Sequence, residues 1–333
     1  MLKVSTAPHF YSPIDTTSIM RNVIIALIPA GIVAVLMFGL SALITMVTAV
    51  AGCVVMEYLV CRYMLKIRTT TADLSAVVTG LLLAYNLPCN MPIWMTLIGC
   101  FVAIVITKMA FGGIGKNIFN PALVGRVFLF VSFPVQMTTW QTPKLFDFLN
   151  TDVSTSATTL SALKHLDSST SATMLSAQDT LPSYFDMFVG HIGGSMGEIS
   201  TLALLLGLCW LLYKKVISWH IPFYYVGTFF ALNLAFWLYS DSTAYEPLTQ
   251  MLSGGLLLGA IFMATDYTTS PMSINGKIFF AVGCAVLTFV IRHYGSYPEG
   301  VSFAILIMNA FVPLIDMFFK PKIFGTGTKA RSK

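Results

Sequence analysis

The chain has 333 residues, of which 56% are hydrophobic and only 10% are charged, and its mean hydropathy is +0.79. Soluble domains carry about 25% charged residues, so this composition excludes an ordinary soluble globule. The net charge of +5 comes mainly from basic residues outside the apolar runs, and nothing in it indicates binding to nucleic acid.

Apolar runs predict a series of membrane-spanning helices along the chain. A helix of roughly 17–25 apolar residues is long enough to cross a bilayer. Such runs cover residues 22–40, 42–61, 92–110, 121–134, 199–213, 221–239, 248–265, 278–294 and 300–318. A shorter run at 74–88 brings the predicted number of helices to about ten. The first run has no small-residue cleavage site after it, so it is predicted to be a retained helix rather than a signal peptide.

Basic residues predict the orientation of these helices. If the N-terminus is cytoplasmic and ten helices alternate, 15 of the 19 Lys and Arg residues fall on the cytoplasmic side. They are Lys3, Arg21, Arg62, Lys66, Arg68, Lys108, Lys116, Lys214, Lys215, Lys277, Lys320, Lys322, Lys329, Arg331 and Lys333. The opposite orientation would contradict the positive-inside rule. The sequence therefore predicts a multi-pass membrane protein whose two termini are cytoplasmic.

One long polar segment, residues 135–197, interrupts the apolar runs and is predicted to face outward. It divides the chain into a membrane repeat (1–134), this extracytoplasmic loop, a second membrane repeat (198–319) and a basic tail (320–333). The loop is rich in Ser, Thr and Asp and contains the stretch Asp152-Val-Ser-Thr-Ser-Ala-Thr158. Small neighbours keep a hydroxyl sterically open, which suits attachment of a large group to Thr158.

The two membrane repeats resemble each other loosely. Leu74-Ser75 followed by a Gly-Leu cluster recurs as Leu252-Ser253, and each half has a later Gly-rich break, at 112–115 and at 295–300. Each half has five helices, an odd number, so the two repeats must have opposite orientations in the membrane. Interrupted helices in matching positions of two such repeats indicate a central binding site. For Gly80, Gly255 and Gly259, close helix packing is an equally good interpretation.

The stretch from Phe111 to Arg126 carries polar residues that packing alone does not explain. Asn120 before Pro121 predicts a helix N-terminus, where free N–H groups and the helix dipole favour a polar or anionic ligand. The side chains of Asn117 and Asn120 can each donate and accept hydrogen bonds, as the edge of a heterocycle requires. Gly113 and Gly115 form no dinucleotide fingerprint, since a third glycine and a preceding strand are missing.

Charged residues inside apolar runs are functional candidates because their burial in a membrane is costly. Glu57 lies within the second run, where a role in ion movement or cofactor contact and a role in a structural ion pair are equally supported. Arg126 lies within the fifth predicted helix and is expected to partner a buried acid. The six cysteines are scattered without CxxC spacing, so no metal site is predicted.

Several motifs, in order along residues 20–318, resemble the D subunit of the Rnf complex. They are Phe111-Gly-Gly-Ile-Gly-Lys-Asn-Ile-Phe-Asn-Pro-Ala-Leu-Val-Gly-Arg126, Phe133-Pro-Val-Gln-Met137, Ser195-Met-Gly-Glu198 and Tyr297-Pro-Glu-Gly300. The B subunit of the sodium-pumping NADH:quinone reductase is related and similar. The short N-terminus and the phrase Arg292-His-Tyr-Gly-Ser-Tyr-Pro298 favour the Rnf member.

The resemblance implies an FMN joined through its phosphate to a threonine in an Asp-x-x-Ser/Thr-Gly-Ala-Thr pattern. Thr158 fits this pattern with Ser156 in place of the glycine, and it is preferred over Thr173, which ends a similar stretch. The same resemblance implies a second, non-covalent flavin, riboflavin in the quinone-reductase relative, near Asn117, Asn120 and Ala122.

The activity implied by the resemblance is ferredoxin:NAD oxidoreduction coupled to outward movement of Na⁺ or protons across the bacterial inner membrane. The expected partners are other membrane subunits, peripheral iron–sulfur and flavin subunits, and a flavin transferase for maturation. Two alternatives stay open: a B-subunit-like component of an NADH:quinone reductase, and a flavin-free channel of the urea or ammonium type. A flavin that survives denaturation would exclude the channel.

Overall fold

The computed structural model describes residues 15–66, 69–145, 155–156, 158–167, 182–240, 246–295, 297 and 299–320. The first half of the chain folds mainly into helices. Helix α1 begins one residue after Asp15, whose side chain accepts a hydrogen bond from the Thr16 N–H at 2.8 Å. This cap explains why the helix starts six residues before the apolar run at 22. The helices of this half are α1 (Thr16–Phe38), α2 (Leu40–Leu59), α3 (Ser75–Tyr85), α4 (Ile93–Phe101), α5 (Pro121–Ser132) and α6 (Pro134–Met137).

A small antiparallel sheet follows α6. Strand β1 (Trp140–Gln141) pairs with β2 (Thr155–Ser156) so that Trp140 faces Ser156. Two helices of the polar segment come next, α7 (Thr159–Asp167) and α8 (Tyr184–Val189).

The second half is again helical. Its helices are α9 (Thr201–Tyr213), α10 (His220–Ser240), α11 (Pro247–Leu252), α12 (Leu256–Leu258), α13 (Ile274–Tyr294) and α14 (Val301–Phe318). Helix α10 packs along α13, α13 along α14, and α1 crosses from the first half to pack on α9.

Three helices end in π-helical turns rather than in regular α-helix. The turns are Val60–Met64 after α2, Val102–Met109 after α4 and Gly259–Met263 after α12. Their N–H groups bond five residues back, as from Leu65 to Val60 and from Ala264 to Gly259. Short π segments inside helices are rare and are frequent at functional sites.

Five helices among the described residues are long and apolar enough to cross a membrane. They are Thr16–Phe38, Leu40–Met64, His220–Tyr239, Ile274–Tyr294 and Val301–Phe318, and four shorter apolar helices accompany them. The prediction of an all-α, multi-pass membrane protein is therefore confirmed, whereas the count of ten spans and the inverted repeats stay predictions. The run predicted as one helix at 248–265 is broken between α11 and α12, where Gly254 has a φ of 70°.

The sequence left a packing role and a binding-site role open for Gly80, Gly255 and Gly259. In the structure, Gly80 and Gly259 serve close packing. A Cβ on Gly80 would lie 2.7 Å from Val50 Cα of α2, and a Cβ on Gly259 would collide with Val301 Cγ1 of α14. Gly255 differs, because the nearest atoms are polar: Glu198 Oε2 at 3.1 Å and Arg126 Nη1 at 3.7 Å from the same position. The fold thus places a buried polar region beside the break between α11 and α12.

Candidate functional site

A cavity of about 410 Å³ opens between the two halves, at the end of the bundle where α1 begins and α9 ends. Its apolar walls include Ile19 and Val23 of α1, Val78 and Leu82 of α3, and Phe262 of the π turn after α12. The polar residues that line it are Thr16, Ser75, Thr79, Lys108, Asn117, Asn120, Thr265, Asp266, Tyr267 and Thr268. Mostly apolar walls with a few polar groups, in this range of volumes, are typical of small-molecule sites.

Two of the three residues predicted to contact a second flavin line this cavity. Asn117 and Asn120 do so, while Ala122 is buried in the first turn of α5 and is not part of the lining. The predicted helix start is confirmed, since the Asn120 side chain accepts a hydrogen bond from the Ala122 N–H at 3.1 Å. Asn120 also donates to the Met263 carbonyl at 3.2 Å, so its amide mainly holds α5 against the π turn after α12.

Asn117 is the more available of the two amides. Its Nδ2 donates to the Phe119 carbonyl at 3.1 Å, which fixes the side chain within the loop before α5. The amide oxygen remains to accept a hydrogen bond from a ligand at the cavity wall. The loop that the sequence indicates therefore lies at the cavity, where Asn117 and Asn120, but not Ala122, belong to the lining.

Lys108 is a lining residue that sequence reasoning missed. The positive-inside pattern places it in a cytoplasmic segment, but its side chain is buried and lies in the π turn after α4. Lys108 Nζ donates to Glu57 Oε2 at 2.5 Å and to Ser75 Oγ at 2.7 Å. An ammonium has three donors, so one N–H remains for the cavity that Lys108 lines.

Glu57 is therefore part of a satisfied ion pair. Its second oxygen accepts from Thr70 Oγ1 at 2.6 Å, and the residue is fully buried in α2. Both oxygens thus have partners, which favours the structural interpretation over that of a free carboxylate in an ion pathway. Because its partner Lys108 lines the cavity, Glu57 also affects the charge of the cavity wall, through its ion pair with Lys108.

Asp266 adds an acidic group at the edge of the same cavity. It follows the π turn after α12 and accepts hydrogen bonds from Thr268 Oγ1 at 2.9 Å and Thr269 Oγ1 at 3.3 Å. Burial raises the pKa of this carboxyl above its ordinary value, and the hydroxyl contacts oppose that shift in part.

Thr158 is not part of the cavity lining and lies between β2 and α7. Its Oγ1 accepts from the Ser161 N–H at 3.2 Å and donates to Ser161 Oγ at 3.1 Å, so Thr158 is the N-cap of α7. The expectation of a sterically open hydroxyl is wrong for this conformation, because the residue is only 5% exposed. The capping contacts and the turn into α7 draw the side chain inward. Thr173, the competing threonine, lies outside the described residues.

Helix α7 is anchored to the second half of the chain. Lys164 Nζ donates to the carbonyl oxygens of Gly295 and Tyr297, and the partial burial of this amine lowers its pKa. Gly295 directly follows α13, whereas the cavity-lining Asp266 precedes it. Lys164 thus ties α7 to the C-terminal end of α13, whereas Asp266 lies in the loop before the start of that helix.

Arg126 partners an acid, as predicted, and that acid is partly buried. Arg126 Nη2 forms an ion pair with Glu299 Oε2, and Nη1 donates to Ser302 Oγ at 2.6 Å. Within the part of the chain that the structure describes, no group of three or more metal-ligating side chains is found.

The groups around both positions fit the chemistry of a flavin. The cavity offers apolar walls for a ring system, together with an amide oxygen and an ammonium for its polar edge. At Thr158, the hydroxyl stands at the N-terminus of a nine-residue helix, where the dipole favours the negative charge of a phosphoryl group.

Comparison with known proteins assigns this architecture to a family. Residues 3–325 match the model of the NQR2, RnfD, RnfE family. The chain is 44% identical over 326 residues to the D subunit of the Na⁺-translocating ferredoxin:NAD⁺ oxidoreductase complex of Acetobacterium woodii, covering 97% of this chain and 95% of that protein. It is 45% identical over 323 residues to the D subunit of the proton-translocating complex of Clostridium ljungdahlii, covering 97% and 96%. It is 38% identical over 331 residues to the D subunit of the ion-translocating oxidoreductase complex of Stutzerimonas stutzeri, covering 94% and 93%.

Proposed function

The chain belongs to the NQR2, RnfD, RnfE family, and on that basis we propose that it is the membrane-embedded D subunit of an ion-translocating ferredoxin:NAD⁺ oxidoreductase complex. The observation that carries this proposal is the similarity to proteins with that name over nearly the whole length of both chains. The names of these relatives differ in the ion, Na⁺ in one and protons in the other. A role in the complex implies the remaining membrane subunits and the peripheral iron–sulfur and flavin subunits as partners.

We further propose that Thr158 carries FMN through a phosphoester bond, added by a flavin transferase. The position at the N-cap of α7 supports this, because a phosphoryl group there would face the unpaired N–H groups of the first helical turn. Strand β2 before it and the Lys164 contacts after it hold the helix in place. A bound flavin supplies one- and two-electron redox chemistry, and the protein sets its position and surroundings.

The cavity is the proposed place for a second, non-covalent flavin such as riboflavin. Asn117 would accept a hydrogen bond from the ring edge, and Lys108 would donate one from its remaining N–H. A positive group beside the ring favours added electron density, so Lys108 would make the flavin easier to reduce. The apolar walls from α1 and α3 would exclude water from the ring faces.

The proposed orientation places both termini and the cavity on the cytoplasmic side of the inner membrane and α7 on the outer side. The positive-inside distribution of the basic residues supports it. Ten spans in two inverted five-helix repeats would give this arrangement. In that orientation the two flavin positions lie near opposite faces of the membrane.

The proposal is tested on the matured chain purified from its native host. Fluorescence of the denatured band on a gel and the intact mass are measured together. The proposal expects a fluorescent band and a mass that exceeds the bare polypeptide by one phosphoester-linked FMN. A mass equal to that of the polypeptide alone would contradict covalent attachment and favour the flavin-free channel. Deletion of the gene region that encodes the chain should abolish ferredoxin-dependent NAD⁺ reduction by membrane vesicles.

A further inference from the structure

Glu198 is a buried carboxylate with an unused oxygen. It lies in the loop before α9 and is 4% exposed. Its Oε1 accepts a hydrogen bond from the Ser195 N–H at 2.8 Å. Its Oε2 has no hydrogen-bond partner among the residues that the structure describes. Buried carboxylates are normally paired or neutralised, so this oxygen requires an explanation.

The nearby arginines do not neutralise Glu198, because other groups engage them. Arg126 is paired with Glu299 and bonded to Ser302. Arg292 donates to the carbonyl oxygens of Gln250 at 2.7 Å and Ser253 at 3.3 Å, and its guanidinium lies over the ring of Phe229. Neither arginine forms an ion pair with Glu198 in the described part of the chain.

Two serine hydroxyls in the two loops that meet at Gly255 are also unsatisfied. Ser195 and Ser253 are fully buried, and neither Oγ forms a hydrogen bond of good geometry among the described residues, although the Ser195 hydroxyl lies near the Glu198 carboxylate. Ser195 belongs to the same loop as Glu198, and Ser253 belongs to the break between α11 and α12. The two loops meet at Gly255, where a Cβ would lie 3.1 Å from Glu198 Oε2. Three buried oxygen atoms that lack partners therefore belong to two adjoining loops.

We propose that Glu198, with the hydroxyls of Ser195 and Ser253, forms a binding site for one monovalent cation, either Na⁺ or a proton. Carboxylate and hydroxyl oxygens are the ligands that hard cations prefer, and a carboxylate with an unused oxygen is equally a proton acceptor. The charged and titratable groups around the Glu198 carboxylate are Arg126 on α5, Arg292 on α13, Glu299 before α14 and Tyr85 on α3. Tyr85 belongs to this set because Gly197, the neighbour of Glu198, packs against it. With both arginines engaged elsewhere, Glu198 Oε2 is the oxygen that the described residues leave for a cation.

The site also adjoins the helix that carries Thr158. Gly254 lies between α7 and the arginine beside the site. A Cβ on Gly254 would lie 2.9 Å from Leu160 Cδ1 of α7 and 3.0 Å from Arg292 Nη2. The cation site itself is independent of any flavin. Its use in transport rests on the proposed function, because only the complex would couple cation binding to electron flow.

The test uses the full chain in lipid nanodiscs at constant ionic strength. Two signals are followed for wild type, Glu198→Gln and Ser253→Ala: the thermal midpoint as Na⁺ replaces choline, and the infrared band of protonated carboxyl groups as the pH is varied. Asp186→Asn, at an acid of α8 whose side chain is 42% exposed, is the matched control.

For a Na⁺ site, wild type should be stabilised by Na⁺, Ser253→Ala should need about tenfold more Na⁺, and Glu198→Gln should not respond. For a proton site, a carboxyl band should titrate in wild type and be lost in Glu198→Gln. Asp186→Asn should keep either response. A wild-type chain with neither response, or a Glu198→Gln variant that retains it, would overturn the proposal. If Glu198→Gln does not fold, Ser253→Ala decides between these outcomes. In-gel flavin fluorescence of the same samples reports separately on the proposed function.

Discussion

Lys108 and Glu57 form a buried ion pair of 2.5 Å that joins α2 to the π turn after α4, across 51 residues of sequence. The pair carries the charge of Lys108 to the wall of the cavity while keeping Glu57 neutralised. It also fixes Ser75 at the start of α3, through the second hydrogen bond of the ammonium. Three helices of the first half are thus tied together at the cavity.

Replacement of Lys108 with Met should destabilise the protein strongly, since it leaves Glu57 as an unpaired buried charge. Removal of one member of a buried pair costs about 3–5 kcal/mol. The thermal midpoint of the purified chain in detergent, and the amount of folded chain recovered from membranes, measure this loss.

The matched control is the double variant Lys108→Met with Glu57→Gln, which leaves neither charge behind. It should recover most of the stability lost by the single variant, because the two effects are coupled. A double variant as unstable as Lys108→Met would mean that Lys108 contributes by more than neutralising Glu57.

Thr158→Ala should abolish covalent flavin and remove the N-cap of α7. Loss of a capping hydroxyl costs about 1 kcal/mol, so the chain should still fold. The intact mass should fall by the mass of the attached FMN, while Thr173→Ala should keep it. Thr158→Ser separates the two effects, because it restores the capping hydroxyl whether or not the transferase accepts serine. A loss of FMN only in Thr173→Ala would reverse the assignment.

Val78→Trp should displace a ligand from the cavity without unfolding the protein. Val78 lines the cavity from α3, so a larger side chain fills the space where a ring system would lie. Flavin released by acid precipitation of the purified protein, measured by chromatography, should fall at least severalfold. Val131→Trp is the control, because that residue of α5 is 64% exposed. Equal release from both variants would show that the cavity does not hold the non-covalent flavin.

Gly80→Ala should destabilise the bundle, whereas Gly227→Ala should not. A Cβ at Gly80 meets the backbone of α2 at 2.7 Å, while a Cβ at Gly227 of α10 has no atom within 4 Å. Overpacking of this kind costs about 1–3 kcal/mol, and alanine at an open helical position gains up to about 1 kcal/mol. Thermal midpoints of the two variants, compared with wild type, should therefore shift in opposite directions.

Local signals in the sequence predicted much of this structure. Asn120 followed by Pro121 predicted the start of α5 correctly, because an N-cap is formed by residues that are neighbours in sequence. Apart from the run at 248–265, which is broken at Gly254, the apolar runs predicted helices in the right places, because a membrane helix satisfies its own backbone. The same loop led to the cavity, since Asn117 and Asn120 both line it.

Features that depend on distant partners could not be read from the sequence. Lys108 has the appearance of a surface charge next to an apolar run, and only the fold shows that Glu57 faces it. The burial of Thr158 likewise depends on how α7 docks on the second half, through Lys164 and Leu160. The apolar pattern did not predict the break at Gly254, because the residues on both sides of it are as apolar as those of a continuous helix.

The π turns have a consequence for how the chain tolerates changes in length. One residue advances a helix by about 100°, so a π turn holds one residue more than the same span of α-helix would need. Because the turn already holds the extra residue, deletion of a single residue before Lys108 within Val102–Met109 should restore regular winding and largely keep the direction in which Lys108 points. Homologous chains with a one-residue gap at this place should therefore still present a cation to Glu57.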